Sequence, residues 1–269
     1  MRVLRTAAEM RSALAADRAA GRSIGLVPTM GAFHAGHLAL IGASTAQDDM
    51  TVVSLFVNPA QFGPSEDLAR YPRDEAGDAA TAEAAGVGIL FAPSADEIYP
   101  PGFDTWVDPG ELATVLEGAV RPGHFRGVAT VCTKLFDIVQ SARAYFGRKD
   151  AQQVAIVKQV VRDLALPLEI VACPTVRDPD GLALSSRNAY LSADERAIAL
   201  ALPRALDAGL LAFRDRGDPV ATAEEVLASE PSLSVDYVAV ADFDGPTLAA
   251  AMRVGATRLI DNVLLDESA

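Results

Sequence analysis

Two of the chain's three histidines stand three residues apart in the stretch Pro28-Thr-Met-Gly-Ala-Phe-His-Ala-Gly-His37. An imidazole can donate a hydrogen bond to a phosphate oxygen and stabilise charge that develops on it. The apolar run 24–27 before the stretch reads as a buried parallel strand. The run after it, with Leu38, Ile41 and Thr45 on one face, reads as a helix. Gly31 and Gly36 let the backbone turn tightly between the two. His34 and His37 therefore sit where a strand gives way to a helix N-terminus, and exposed N–H groups and the helix dipole favour anions there. A lone histidine in such a turn is more simply a solvated side chain. The His-x-Gly-His spacing reverses that preference.

Other polar groups fall at comparable places. Asn58 and Gln61, in Phe56-Val-Asn-Pro-Ala-Gln-Phe62, leave the second strand at its carboxyl end. Their amides can fix a hydroxyl or carboxylate, or satisfy loop backbone. Tyr71-Pro-Arg73 closes a wall or caps the next helix. Phe146-Gly-Arg-Lys-Asp150 repeats the strand, glycine and helix logic with cations added. Gly147 permits close backbone approach, Lys149 is a point charge suited to phosphate, and Asp150 can accept from a ribose hydroxyl. The alternative is a solvated cation pair before a capped helix. If the segment is extended, Lys149 and Arg148 point to opposite sides. Ser185, Ser186 and Arg187 are donors that suit a phosphate chain, although Ser-Ser-Arg is common on surfaces. His124, in Arg121-Pro-Gly-His-Phe-Arg-Gly127, reads more simply as a surface loop than as an anion contact. Glu66, Asp67, Glu83 and Glu117 lack metal-ligand spacing and read as solvated faces. Phe33 and Phe62 read as pocket wall or core.

The elements that must position these groups alternate. Helices are expected over 6–20, 38–47, 74–85, 128–140 and 152–164, the last through Val154, Val157, Val161 and Leu164. Strands are expected over 24–27, 51–57, 86–91, 142–146 and 167–172, with 93–109 irregular apart from a possible short strand. Such alternation gives a parallel sheet whose ligands bind at the carboxyl edge. After Cys173-Pro174 the pattern changes. A turn at 177–181 precedes a capping box at 192–195, a long helix to about 214, a helix over 222–228 and short strands at 235–241 and 257–259. The expected parts are 1–174 and a smaller α+β unit, 175–269.

Composition narrows the function classes. The 269 residues are 50% hydrophobic, ample for a core. With 36 acidic and 23 basic side chains the net charge is −13, which repels nucleic acid. A small anionic ligand then needs local cations. Cys132 and Cys173 lack metal spacing and read as reduced core residues of a cytoplasmic protein. No apolar run is long enough to span a bilayer, and the first residues show no signal-peptide region.

Four segments occur in one order: PTMGAFHAGH, FVNPAQFGPSEDLARYPRD, FGRKDAQQ and DGLALSSRN. HxGH alone resembles the nucleotidyltransferase superfamily. Together with VNPxQF, SSRN, RPGHFRGV and TRLIDN, the chain resembles the pantothenate synthetase family over essentially its whole length. The resemblance implies a Rossmann-type α/β nucleotidyltransferase domain with a smaller C-terminal lid, and a homodimer. It implies joining of pantoate to β-alanine through a pantoyl-adenylate, with ATP cleaved to AMP and pyrophosphate in the presence of Mg²⁺. It places Met30, Gly31, Ala32, Phe33, His34, Ala35, Gly36 and His37 on ATP, with His37 donating to the phosphates. Gly147, Arg148, Lys149, Asp150, Val176, Leu184, Ser185, Ser186 and Arg187 complete that site. Gln61 and Gln153 hold pantoate, Gln61 near β-alanine as well. His37, His34 and Lys149 carry the catalysis, and the metal ligands are unassigned. Arg148 departs from the family's usual glutamate, and the segment 242–254 is shorter than usual. Two rival readings remain at this level: an HxGH enzyme that leaves a stable nucleotide product, and a nucleotide sensor without turnover.

Overall fold

The computed structural model describes residues 1–64 and 66–266. Ser65 of the second motif and residues 267–269 of the C-terminal part lie outside the described residues. The chain forms two compact units, 1–147 with 156–173, and 148–155 with 174–269.

The first unit is built on six strands: β1 (Arg2–Leu4), β2 (Ile24–Thr29), β3 (Met50–Leu55), β4 (Ile89–Phe91), β5 (Arg143–Gly147) and β6 (Glu169–Cys173). Their order is β1-β4-β3-β2-β5-β6, and every pairing is parallel. The chain steps outward from β2 to β3 and β4, then returns to place β5 on the other side of β2. That reversal makes a topological switch point between β2 and β5, where open α/β sheets bind ligands. Consecutive side chains of β2, β3 and β4 are buried, as strands covered on both faces require.

Several elements differ from the expectation for identifiable reasons. The helix after β2 is Ala35–Gln47, and its buried face carries Leu40, Ile41 and Ser44, not Leu38 and Thr45. The Ser44 hydroxyl is 2.8 Å from that of Thr51 on β3, so a small polar residue occupies a seat that apolar periodicity gave to Thr45. The segment 93–109 holds no strand but a short helix, Ala95–Ile98. Trp106 is covered there by Phe103 and by the Arg126 guanidinium, 4.7 Å from its ring centre. The helix Ala151–Asp163 stops before Leu164, which is exposed, because Ala165 takes a left-handed φ of 51°.

The second unit contains a three-stranded antiparallel sheet, β7 (Leu233–Asp242), β8 (Pro246–Val254) and β9 (Thr257–Leu264), with β8 central. β8 was not expected, because Leu248-Ala-Ala-Ala-Met252 is alanine-rich and low in strand propensity. Leu248, Ala250 and Met252 of β8 form one core with Leu202, Leu206 and Leu227. The expected long helix is two helices, Ala193–Ala199 and Ala201–Arg214. Pro203 has no N–H to offer the carbonyl of Ala199, so the ladder breaks at Leu200. β7 and β8 are joined by a tight turn, in which Gly245 N–H donates to Asp242 Oδ1 at 2.8 Å.

The amino ends of the central strands are tied by a buried carboxylate. Asp48, just past the first crossover helix, accepts from Tyr145 Oη at 2.6 Å and from Arg143 Nη1 at 2.8 Å. Tyr145 is fully buried, and burial together with Asp48 raises its pKa, so it stays a donor. Tyr145→Phe should leave one carboxylate oxygen short of a donor and lower unfolding stability by about 1–3 kcal/mol. Urea titration of both proteins measures this; an unchanged midpoint would mean that Arg143 alone satisfies Asp48.

Candidate active site

In the first unit the turn after β2 is held by backbone groups. Thr29 Oγ1 donates to the Ser54 carbonyl at 2.6 Å. Gly31 (φ 89°) and Ala32 (φ 54°) are left-handed, and a side chain on Gly31 would meet Leu55 Cδ1 at 2.7 Å and Asp78 Oδ2 at 2.8 Å. The Asp78 carboxylate accepts from the N–H of Ala32 at 2.9 Å and of Phe33 at 2.8 Å. Asp78 lies in the first turn of the helix Glu75–Ala84, where the dipole favours its charge, and it is buried.

His34 is the N-cap of the helix Ala35–Gln47, and His37 is its third residue. The pair forms a reciprocal capping box. His34 Nδ1 accepts from Gly36 N–H at 3.1 Å, and His37 Nδ1 accepts from His34 N–H at 3.3 Å. With both Nδ1 atoms accepting, each neutral ring carries its proton on Nε2 and is a hydrogen-bond donor through that atom. The rings lie 4.2 Å apart between centres, and Phe33 packs 5.4 Å from His37.

The turn after β3 is fixed by Asn58, which is almost fully buried. Its Oδ1 accepts from Ala60 N–H at 3.2 Å and from Tyr99 Oη at 2.8 Å. Its Nδ2 donates to Gln61 Oε1 at 3.0 Å and to the Gly127 carbonyl at 3.2 Å. This sets the direction of the Gln61 amide, whose Nε2 points to Met30 Sδ at 3.2 Å. Gln61 is thereby brought to the Met30–His37 turn with its donor side toward it.

His124 corrects the reading of a surface loop. It is the first residue of the helix His124–Val139, and it is buried. Its Nδ1 lies 2.8 Å from the Gln61 carbonyl and its Nε2 lies 3.1 Å from Arg121 Nη1. A guanidinium only donates, so Nε2 accepts and Nδ1–H donates to Gln61. Arg121 in turn pairs with Glu66 through two bonds of 2.9 and 2.7 Å. Glu66 is thus an ion-pair partner rather than a solvated carboxylate, and Glu117 is buried as well. Burial, then the neighbouring Arg121 charge, pushes the His124 pKa down to about 4.

In the second unit, Arg148–Asp150 form a 3₁₀ turn, so the alternation expected of an extended segment does not apply. Asn262 Nδ2 donates to the carbonyls of Arg148 at 2.8 Å and Lys149 at 2.7 Å. Asn262 N–H donates to Asp261 Oδ1 at 2.8 Å, and the buried Asp261 is gripped by both Arg177 amino groups. Lys149 Nζ lies 3.6 Å from Asp150 Oδ1, and Arg148 Nη1 lies 3.9 Å from Asp244 Oδ2. Val176 and Leu184 face each other across a hairpin, the Leu184 N–H donating to the Val176 carbonyl at 2.9 Å. Ser185 caps the 3₁₀ helix Ser186–Tyr190. That helix and the Arg148–Asp150 turn both pack on β9. Gln153 lies half-buried in the first turn of Ala151–Asp163, beside the buried Gln152.

The family model described as Pantoate-beta-alanine ligase matches residues 2–264. The chain belongs to the pantoate–β-alanine ligase family. It is 53% identical to the pantothenate synthetase of Agrobacterium fabrum, over 97% of this chain and 95% of that protein. It is 54% identical to pantothenate synthetase 1 of Bradyrhizobium diazoefficiens, over 100% and 99%. The crystal structure of the Thermus thermophilus pantothenate synthetase superposes with a TM-score of 0.93 at 46% identity, covering 98% of this chain and 99% of that one. The Francisella tularensis pantoate–β-alanine ligase, complexed with beta-gamma ATP and beta-alanine, superposes with a TM-score of 0.83 at 34% identity, covering 98% of each. The ligase reaction, ATP-dependent condensation of pantoate with β-alanine, is the activity of this chain.

Sequence reasoning missed residues that brace these turns. Asp78 had a signal: with Ala82 it lies on the buried stripe of its helix, where a lone carboxylate needs donors. Asn262 had none beyond its place in Thr257-Arg-Leu-Ile-Asp-Asn262. Asp78→Asn can accept only one of the two N–H groups and turns an NH₂ toward the other. It should lower kcat/KM for ATP about tenfold, corresponding to roughly 1.4 kcal/mol, measured as AMP release. Unchanged kinetics would show that the turn holds its shape without this clamp.

His124 also makes a stability prediction. The folded state keeps the ring neutral while the unfolded state takes up a proton below its ordinary value of 6.5. Stability is therefore lost as pH falls from about 6.5 toward about 4. Between pH 7 and pH 5 the ligase should lose on the order of 2 kcal/mol more than His124→Asn does. Urea unfolding at the two pH values measures the difference, and parallel losses would mean that His124 is protonated in the folded state.

Proposed function

We propose that Met30–His37 contact ATP in this chain, with the Nε2–H groups of His37 and His34 donating to its phosphate oxygens. The reciprocal His34–His37 capping carries this reading, because it presets both rings as donors before any ligand arrives. Gly147, Lys149 and Asp150, and Arg148 through its main chain only, with Val176 and Leu184 to Arg187, are the further nucleotide contacts. Gln61 and Gln153 hold pantoate, and Gln61 lies near β-alanine. The ATP and β-alanine complex of the Francisella relative supports the assignment of both substrates. Residues 1–174 act as the nucleotide and pantoate domain and 175–269 as the smaller C-terminal lid domain.

The chemistry fits these donors. The pantoate carboxylate is ionised at neutral pH and needs no general base. Its oxygen forms a bond to the α-phosphorus while the bond from that phosphorus to the pyrophosphate oxygen breaks. Charge gathers on the α-phosphate and the leaving group, where His34, His37, Lys149, Ser185, Ser186 and Arg187 offset it. The neutral amine of β-alanine then attacks the acyl carbon, AMP departs with the mixed-anhydride oxygen, and the amine loses a proton. Magnesium does not fit a protein cage: among the described residues, no group of three or more His, Cys, Asp or Glu side chains could hold a metal ion. The magnesium that the family implies would arrive on the phosphates of ATP. The family resemblance supports a homodimer. Among the described residues no helix is long and apolar enough to cross a membrane. The buried free thiols of Cys132 and Cys173 support a reducing, cytoplasmic setting.

AMP should form from ATP only when pantoate and β-alanine are both present. A stable nucleotide product would instead favour a nucleotidyltransferase, and binding without turnover a sensor. In the same assay Lys149→Ala should cost at least about tenfold in kcat/KM, while Arg148→Glu should change the KM for ATP less than about threefold. The reverse pattern would place Arg148 on the phosphates.

A further inference from the structure

We propose that His124 is a positioning residue for the pantoate subsite: its Nδ1–H holds the main-chain carbonyl of Gln61, and so fixes where the Gln61 amide stands. This rests on the reading that Gln61 holds pantoate.

The helix His124–Val139 meets the Gln61 turn through two of its first residues. His124 donates to the Gln61 carbonyl at 2.8 Å. One turn further, Gly127 lies against the same segment: a Cβ there would strike the Ala60 carbonyl and come within 2.8 Å of the Gln61 nitrogen. Only glycine allows that approach, and it lets the Gly127 carbonyl accept from Asn58 Nδ2 at 3.2 Å. The Gln61 carbonyl is therefore held chiefly by His124 at 2.8 Å, with a longer bond from Arg121 Nη2 at 3.4 Å, and the Gln61 side chain is held by Asn58, which is anchored to the same helix.

The tautomer makes His124 specific in this role. A histidine that carried its proton on Nε2 would turn a lone pair toward the Gln61 carbonyl. Arg121 removes that option by donating to Nε2 at 3.1 Å, and Glu66 keeps Arg121 in place with two bonds. Glu66, Arg121 and His124 thus form a chain that ends on the Gln61 carbonyl. Asparagine at this position places its NH₂ where Nδ1–H lies, whereas glutamine reaches only the place of Nε2. The two replacements are alike in polarity and both perturb packing, so they separate positioning from mere stability.

The test compares His124→Asn, His124→Gln and Gln61→Ala in the AMP-release assay with full-length protein, measuring the KM for pantoate and for ATP and a urea midpoint for each. His124→Asn should keep the KM for pantoate within about threefold. His124→Gln should raise it about tenfold or more, with the KM for ATP changed less than threefold. Gln61→Ala should raise the KM for pantoate at least as far. Equal KM values for pantoate in the Asn and Gln variants, or shifts in both substrates that follow the urea midpoints, would overturn the positioning role while leaving Gln61 on pantoate. A Gln61→Ala enzyme with unchanged KM for pantoate would overturn both readings.

Discussion

Two consecutive backbone N–H groups, those of Ala32 and Phe33, leave β2 without a strand or helix partner, and the active-site turn depends on where they end. The buried carboxylate of Asp78 takes both. An isolated buried charge would be costly, but this one lies in the first turn of its own helix and accepts charge-assisted bonds. The left-handed conformations of Gly31 and Ala32 aim the two N–H groups at one carboxylate. Holding the chain there brings His34 into the cap of the next helix, and the cap sets the orientation of His37. A helix in the sheet's outer layer thus governs the tautomers of two imidazoles.

The second unit applies the same device to a cation. A lysine side chain is long and adaptable, so its reach is set by the backbone it starts from. Asn262 fixes that backbone by donating to the carbonyls of Arg148 and Lys149, and Asp261 and Arg177 hold Asn262 in turn. In a chain of net charge −13, positive groups near a polyanionic nucleotide must be local and fixed, because the distant field is repulsive. Residues 148–155 grouping with the C-terminal sheet follows from these bonds.

The sheet and the histidine turn were legible because they rest on local signals: unbroken β-branched runs for β2 and β3, and glycines flanking His34. The misreadings share a cause, which is a partner distant in sequence. Ser44 entered a buried helix face because Thr51 was there to meet it. β8 showed no strand signal because its alanines are chosen for packing against Leu202 and Leu206, not for propensity. Glu66 looked solvated because its partner Arg121 lies 55 residues away. The candidate contact residues stood out as motifs, and of the side chains that brace them Asn58 stood out beside Gln61 and Asn262 lay within TRLIDN, whereas Asp78 was visible as nothing more than a polar side chain.

The capping arrangement bears on how His34 and His37 act. Each Nδ1 accepts a backbone N–H, so an imidazolium would set N–H against N–H and break the cap that positions it. In the role proposed for them, the rings are therefore neutral donors that keep their Nε2 protons. This suits the reaction, because pyrophosphate leaves as a stable anion and needs no proton. A donor that releases its proton would have to be recharged before the next turnover, and the attacking carboxylate has none to give. Fixed neutral dipoles aimed at the developing charge stabilise it without that step. The positive charge then has to come from elsewhere, and Lys149 and Arg187 are the basic side chains of the motif set suited to supply it.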